Sequence, residues 1–300
     1  MAGKDKAEKI LEDYNDVFAD IYNTLLFKGR LLREEQLAFG RTESVYKAAD
    51  GCLGEQRRDA LKTYRENGLC ILSLGLENQA DVRKEMPVRL MGYDYATYRG
   101  MVANGEPITP VVTIVLNFSD RRWDDKAKSL HGVMDIPEWL RPFVQDYRIQ
   151  VFDIAFLDDE VIESFTSDFR VVARFFKERR LGRTNIMSDD TIALRHVGEL
   201  LELFAVFSKD ERYRDAYTEE LRARIRKGEV IHMCEMLQSV IDQGIDKGRQ
   251  EGLQEGLQEG LRALVTALKG VLPTLDEVHG AIVKTKEYAD VTKEQVRKYY

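Results

Sequence analysis

The chain has 300 residues, 44% of them hydrophobic, and a formal net charge of −7. That length and apolar content suit one large domain, or a main domain with an appendage, and exclude global disorder. The acidic balance weighs against a protein that coats nucleic acid nonspecifically, while leaving room for an enzyme with a local basic cleft.

The start, Met1-Ala2-Gly3-Lys4-Asp5-Lys6, has no signal-peptide character, and the longest apolar runs are strand-length, so no membrane span is expected. Residues 5–28 read as a helix, with Ile10, Tyr14, Val17, Phe18, Ile21, Tyr22 and Leu25 at three- and four-residue spacing and Gly29 closing it. Residues 30–56 are less regular, with helical stretches and several charges. The run Leu69 to Leu76, bounded by Gly68 and Glu77, reads as a strand buried on both faces. Met86 to Met101 reads as a helix with Pro87 in its first turn. Pro110 opens a second strand, Val111 to Leu116, and a third is expected at Ile149 to Ile154. Residues 158–180, 189–208 and 210–240 look helical, so the pattern is an α/β core with helices appended. Cys52, Cys70 and Cys234 have no metal-ligand spacing and suit reduced thiols in a cytoplasmic protein.

A domain boundary is expected near residue 243, separating a 5–243 α/β domain from a 244–300 helical extension. Glycines recur at 244, 248, 252, 256 and 260, and Gly252-Leu253-Gln254-Glu255 repeats as Gly256-Leu257-Gln258-Glu259. In an isolated helix five interior glycines cost about 4–5 kcal/mol relative to alanine. The repeat therefore reads as an oligomerisation helix, a flexible spacer or a repeat of little consequence, with Leu253, Leu257 and Leu261 favouring the first. Thr274-x-x-Glu277 and Thr292-x-x-Gln295 are capping-box patterns that start two further helices.

The chemistry concentrates at Glu77 and Gln79. A carboxylate at the end of an apolar strand needs a partner, and a divalent cation such as Mg²⁺ is one that accepts carboxylates and waters. Residues 77 and 79 lie on the same side of a strand, which leaves Gln79 to orient a water or phosphate. Asp59 is the best second acid. The stretch Ala60 to Tyr64 after it is open to two readings, strand or helical turn, and the helical one misplaces Asp59. Asp20 in the first helix is a candidate outer ligand.

Arg58-Asp59, the strand ending Gly75-Leu76-Glu77-Asn78-Gln79, then Met86-Pro87-Val88-Arg89 with Tyr93, then Pro110 opening a strand, resemble the Rpn family of recombination-promoting nucleases. The resemblance covers residues 10–155 and, loosely, the glycine-repeat tail. It implies the PD-(D/E)XK nuclease fold, a central mixed sheet flanked by helices. It also implies metal-dependent DNA endonuclease activity with Mg²⁺ or Mn²⁺ held by Asp59 and Glu77, and roles in recombination, mobile elements or defence. Gln79 stands where many members of the wider superfamily have lysine, although glutamine is usual for the Rpn family. A neutral amide hydrogen-bonds but supplies no charge. The alternative is a nuclease-like oligomeric module that binds DNA or protein without cleaving.

For DNA contact, Arg89 either approaches a phosphate or pairs with Glu85 or Asp94. Segment 166–183 holds Arg170, Arg174, Lys177, Arg179, Arg180 and Arg183 against Asp168 and Glu178, and reads either as a backbone-tracking surface or as a solvated helix face. The scattered His131, His196, His232 and His279 are given no role, and Trp123 and Trp139 are assigned to core packing.

Overall fold

The computed structural model describes residues 11–40, 43–47, 53–183 and 192–300. Residues 5–10 of the expected first helix, Cys52, and residues 189–191 lie outside them. The chain forms two compact units, residues 1–237 and 238–300.

The first unit opens with helix α1 (Asn15–Tyr22), extended by a π-turn over Asn23–Phe27. Lys28 then takes left-handed backbone, with φ 49°, and the helix ends there. Strands follow where sequence pattern suggested irregular and helical stretches: β1 (Leu37–Phe39), β2 (Glu43–Lys47) and β3 (Leu53–Arg57). β2 and β3 pair with each other, and β1 pairs antiparallel with β4 (Ala60–Glu66). The β1–β4 pairing is long-range, and neither it nor the largely polar β2–β3 hairpin leaves a strong local signature. β4 settles the open reading of Ala60–Tyr64 as strand.

β4 turns into β5 (Leu69–Gln79) through Asn67-Gly68, both at positive φ (50° and 82°), as a two-residue hairpin turn demands. β5 then pairs parallel with β6 (Val111–Asn117), which pairs parallel with β7 (Gln150–Asp153). The result is a five-stranded mixed sheet in the order β1-β4-β5-β6-β7. Only part of β5 is buried on both faces. Leu69 and Ile71 are exposed because pairing with β6 begins at Ser73, and burial is continuous only beyond that point.

Helix α2 (Met86–Ala103), with Pro87 in its first turn, covers one face. Met86, Leu90 and Tyr93 pack with Val115, Trp123 and Ile149. α1 covers the other face, where the Tyr22 hydroxyl donates to the carbonyls of Gly75 and Val112. The span 158–180 divides into α3 (Asp159–Ser164) and α4 (Phe169–Arg180). α4 is tied inward by rings: Phe176 lies 4.8 Å from Phe118, and Phe175 lies 4.5 Å from Phe204 of α5 (Val197–Ser208). Trp123 is buried as expected, whereas Trp139 is 74% exposed and takes no part in the core.

The expected 210–240 helix is interrupted. A short turn at Arg212–Asp215 and α6 (Glu219–Arg226) give way at Gly228, φ 77°, to a two-residue strand, Ile231–His232, paired with Ala193–Leu194. A left-handed glycine just past the last turn is a common helix stop.

The second unit is built on helix α7 (Met233–Lys269) with α8 (Leu275–Ile282) and α9 (Lys293–Arg297). Its core is Leu261, Val265, Val278, Ile282 and Val296. Both capping boxes form as the sequence indicates, on Thr274/Glu277 and Thr292/Gln295. No helix among the described residues is long and apolar enough to cross a membrane.

Gly75 is where backbone must pass close to side chains. A Cβ there would sit 2.6 Å from both Arg58 Nη1 and Thr113 Oγ1. Gly75→Ala is expected to cost about 2 kcal/mol or more of unfolding free energy, measured by urea denaturation; a loss below about 0.5 kcal/mol would contradict the close fit.

Candidate active site

The β4–β5 register brings the two acids together. Ala60 pairs with Leu76, so one step further Asp59 stands opposite Glu77. Two backbone bonds lock them: the Asp59 N–H donates to Glu77 Oε1 at 3.1 Å, and the Asn78 N–H donates to Asp59 Oδ2 at 2.8 Å. Glu77 is fully buried and Gln79 nearly so, while Asp59 is half-buried.

Arg58 does not bind Asp59. It is buried beside the Tyr93 ring, and its Nη2 donates to Asp94 at 2.8 Å. Asp94 also accepts from Thr113 Oγ1 and Tyr147 OH, both at 2.6 Å. Asp94 is therefore engaged elsewhere and does not pair with Arg89.

Arg89 instead approaches Glu77 Oε2 at 3.4 Å, and the same nitrogen donates to Tyr93 OH at 3.0 Å. A charge-assisted bond is normally about 2.7–2.9 Å, so this is a loose pair. Electrostatics agree: burial, then the charge of Asp59, push the Glu77 carboxyl from 4.5 up to about 8, outweighing Arg89, the Asp59 N–H and Arg58. A buried acid destabilised by a neighbouring acid is a group that a cation would relieve.

Asp59, Glu77 and the side-chain oxygen of Gln79 suit a hard cation that keeps several of its own waters. Among the described residues no group of three His, Cys, Asp or Glu side chains gathers around one point.

Two polar residues escaped the sequence reading. Glu12, buried just ahead of α1, accepts from Asn78 Nδ2 at 2.6 Å, linking it through Asn78 to Asp59. Asp20, the acid singled out in that helix, lies elsewhere. It accepts from the backbone and side chains of Thr166 and Ser167 and anchors the approach to α4. Lys62 lies on the α1 face, 4.9 Å from the Phe18 ring. Its Nζ donates to Asp13 O and Asn15 Oδ1, and burial pulls its ammonium down to about 8. Alternation along β4 was the available signal for Lys62; Glu12 gave none beyond being an acid on an apolar helix.

The basic cluster is largely paired with α3. Arg170 and Arg174 both contact Glu163, and Lys177 donates to Asp159 at 2.8 Å. Two cavities, of about 890 and 570 Å³, are lined by none of Asp59, Glu77 or Gln79.

Comparison of the chain with protein-family models, with curated proteins and with solved structures gives no match in any of the three.

The raised carboxyl has a thermodynamic consequence. Unfolded chains ionise Glu77 near 4.5 and the native state only near 8, so its favourable contribution is full below pH 4.5 and is lost as pH rises to 8. Glu77→Gln does not titrate, and is expected to be more stable than wild type at pH 8–9 by about 2–4 kcal/mol, with the gap closing towards pH 4. Parallel denaturation curves at both ends of that range would show the shift to be absent.

Proposed function

We propose that this chain is a metal-dependent DNA endonuclease of the Rpn kind, with a PD-(D/E)XK-type core. The observation that carries the reading is Asp59, in the bend just ahead of β4, held against Glu77 of β5 by its backbone N–H, with the Glu77 carboxyl pushed up by burial and by Asp59. The order of elements supports it: a helix, three antiparallel strands of the main sheet (β1, β4 and β5, with the β2–β3 hairpin inserted after β1), a helix on one face, then a parallel strand.

Asp59 and Glu77 would hold Mg²⁺ or Mn²⁺. Such an ion, when bound, polarises a phosphoryl oxygen and acidifies a water. Gln79, on the same side of β5 as Glu77, offers its amide to orient a water or a phosphate oxygen. Arg89, about one-third exposed beside Glu77, is the nearest candidate for the positive charge that Gln79 lacks. Its loose contact with Glu77 leaves it able to turn towards a phosphate.

The test is plasmid nicking with Mg²⁺ or Mn²⁺ by wild type, Asp59→Ala and Glu77→Ala. Each substitution is expected to lower cleavage at least about 100-fold; equal activity in all three would reject the site. Millimolar Mg²⁺ should raise the Tm of wild type at pH 8 and leave that of Glu77→Gln unchanged.

One observation favours a second reading. The Arg89–Glu77 contact partly neutralises the acid, and residue 79 has no charge, as in a nuclease-like protein that binds without cleaving. We assign oligomerisation to the glycine-repeat helix under either reading. Cβ positions built on Gly248, Gly252 and Gly256 meet nothing within 4 Å, and Ile241, Ile245 and Leu253 are exposed. Light scattering is expected to give a multiple of the chain mass for the full chain and the monomer mass without residues 244–300; equal association in both would assign it elsewhere.

A further inference from the structure

β5, β6 and β7 run parallel and finish in register at Gln79, Asn117 and Asp153. Their carboxyl ends share one edge of the sheet, the edge where open α/β sheets commonly bind ligands. Gln79 stands at one end of it. The segment leaving β6 carries Arg121 and Arg122, and the segment leaving β7 carries Phe156.

Two guanidinium groups converge on that ring. Arg122 lies 4.8 Å and Arg180, the last residue of α4, 4.3 Å from the Phe156 centroid. Arg180 is steered there by its Nε bond to the Ala155 carbonyl at 2.7 Å. Neither arginine has an ion-pair partner among the described residues. Arg121 and Arg179 nearby are exposed and likewise unpaired among them. Of the acids close in sequence, Asp153 is occupied by Asn117 Nδ2 and the Trp123 N–H, Asp124 accepts from the Lys126 N–H, Asp125 pairs with Lys128 and Glu178 with Arg183, while exposed Asp120 and Asp158 offset part of the charge. This differs from Arg170, Arg174 and Lys177 of α4, whose charges are met by Glu163 and Asp159.

We propose that Arg122, Phe156 and Arg180 form a phosphodiester-binding subsite that carries a nucleic-acid backbone along the carboxyl edge, beside the acids. Guanidinium forks match phosphate oxygens in pairs. An aromatic face attracts the two cations and lowers the cost of holding like charges close together. Two strand spacings, about 10 Å, separate the end of β5 at Gln79 from the end of β7, so a backbone laid along this edge would pass both. The identity of the ligand rests on the nuclease reading; the test does not depend on cleavage.

The experiment is fluorescence anisotropy of the full chain with a labelled DNA duplex in EDTA, titrated with salt. Arg122→Glu is expected to weaken binding at least about 10-fold, and the Arg121→Ala/Arg122→Ala double variant to reduce the salt slope by about 1–2. Arg122→Lys should recover part of the affinity. Arg148→Glu, 81% exposed just ahead of β7 and so at the opposite edge, should bind within about 2-fold of wild type. Thermal melts establish that each variant is folded.

Wild-type affinity and slope in both Arg122 variants would overturn the subsite, as would a wild type that binds no DNA. If Arg122 controls binding but no metal supports cleavage, the subsite stands and the nuclease reading falls. If Asp59→Ala abolishes cleavage while Arg122→Glu binds normally, the reverse holds.

Discussion

The buried pair of Arg58 and Asp94 is the contact on which the rest of the first unit depends. It joins the entry to β4 with the middle of α2, and through Thr113 and Tyr147 it reaches β6 and the approach to β7. Four parts of the chain, distant in sequence, meet at one carboxylate. A pair this buried gives little net stability over a well-packed apolar replacement, yet losing one partner leaves an uncompensated charge. Its value lies in specificity: it fixes where β4 begins, and hence that Asp59 faces Glu77. Gly75 is the complement of this pair, since only a residue without Cβ lets the guanidinium lie across β5.

Around that anchor the polar groups form a line that crosses the sheet. Glu12 holds Asn78 on one face; the Asn78 backbone holds Asp59; the Asp59 backbone holds Glu77; and Arg89 with Tyr93 closes the other side. Asp59 and Glu77 each accept from a main-chain N–H, and Arg89 adds a loose contact to Glu77. A backbone donor fixes direction without cancelling a full charge, and the Glu77 carboxylate stays electrostatically unfavourable. That is the condition under which a divalent cation, itself costly to desolvate, finds a compensating site.

Much of this was legible in sequence where periodicity or local chemistry is strong. The β5 and β6 runs, the α2 helix with Pro87 in its first turn, and both capping boxes depend on neighbours a few residues apart. Glu77 was conspicuous because a carboxylate interrupts an apolar run. β1 to β3 were not legible: β1 is three residues long and finds its partner β4 only beyond the β2–β3 hairpin, and the hairpin's own residues are largely polar. The Asn67-Gly68 turn was a missed signal of the ordinary kind. Asp20 was preferred over Glu12 because helix phase alone does not show which acid reaches the sheet and which ties down Thr166 and Ser167. For the basic run in α4 the two readings stayed open, because spacing does not reveal that α3 supplies Glu163 and Asp159 as counter-charges, nor that Arg180 at its end turns to Phe156.

The staggered start of β5 divides one strand into two regimes. From Ser73 to Leu76 it is flanked on both sides by β4 and β6; before Ser73 it has β4 alone, with Leu69 and Ile71 facing water, and beyond Leu76 it has β6 alone. Local opening follows such differences, so amide exchange should be graded along this single strand, quick at the hairpin tip and slowest over the doubly paired stretch. Glu77 thus follows directly on the stiffest part of a lever whose hairpin end is loose.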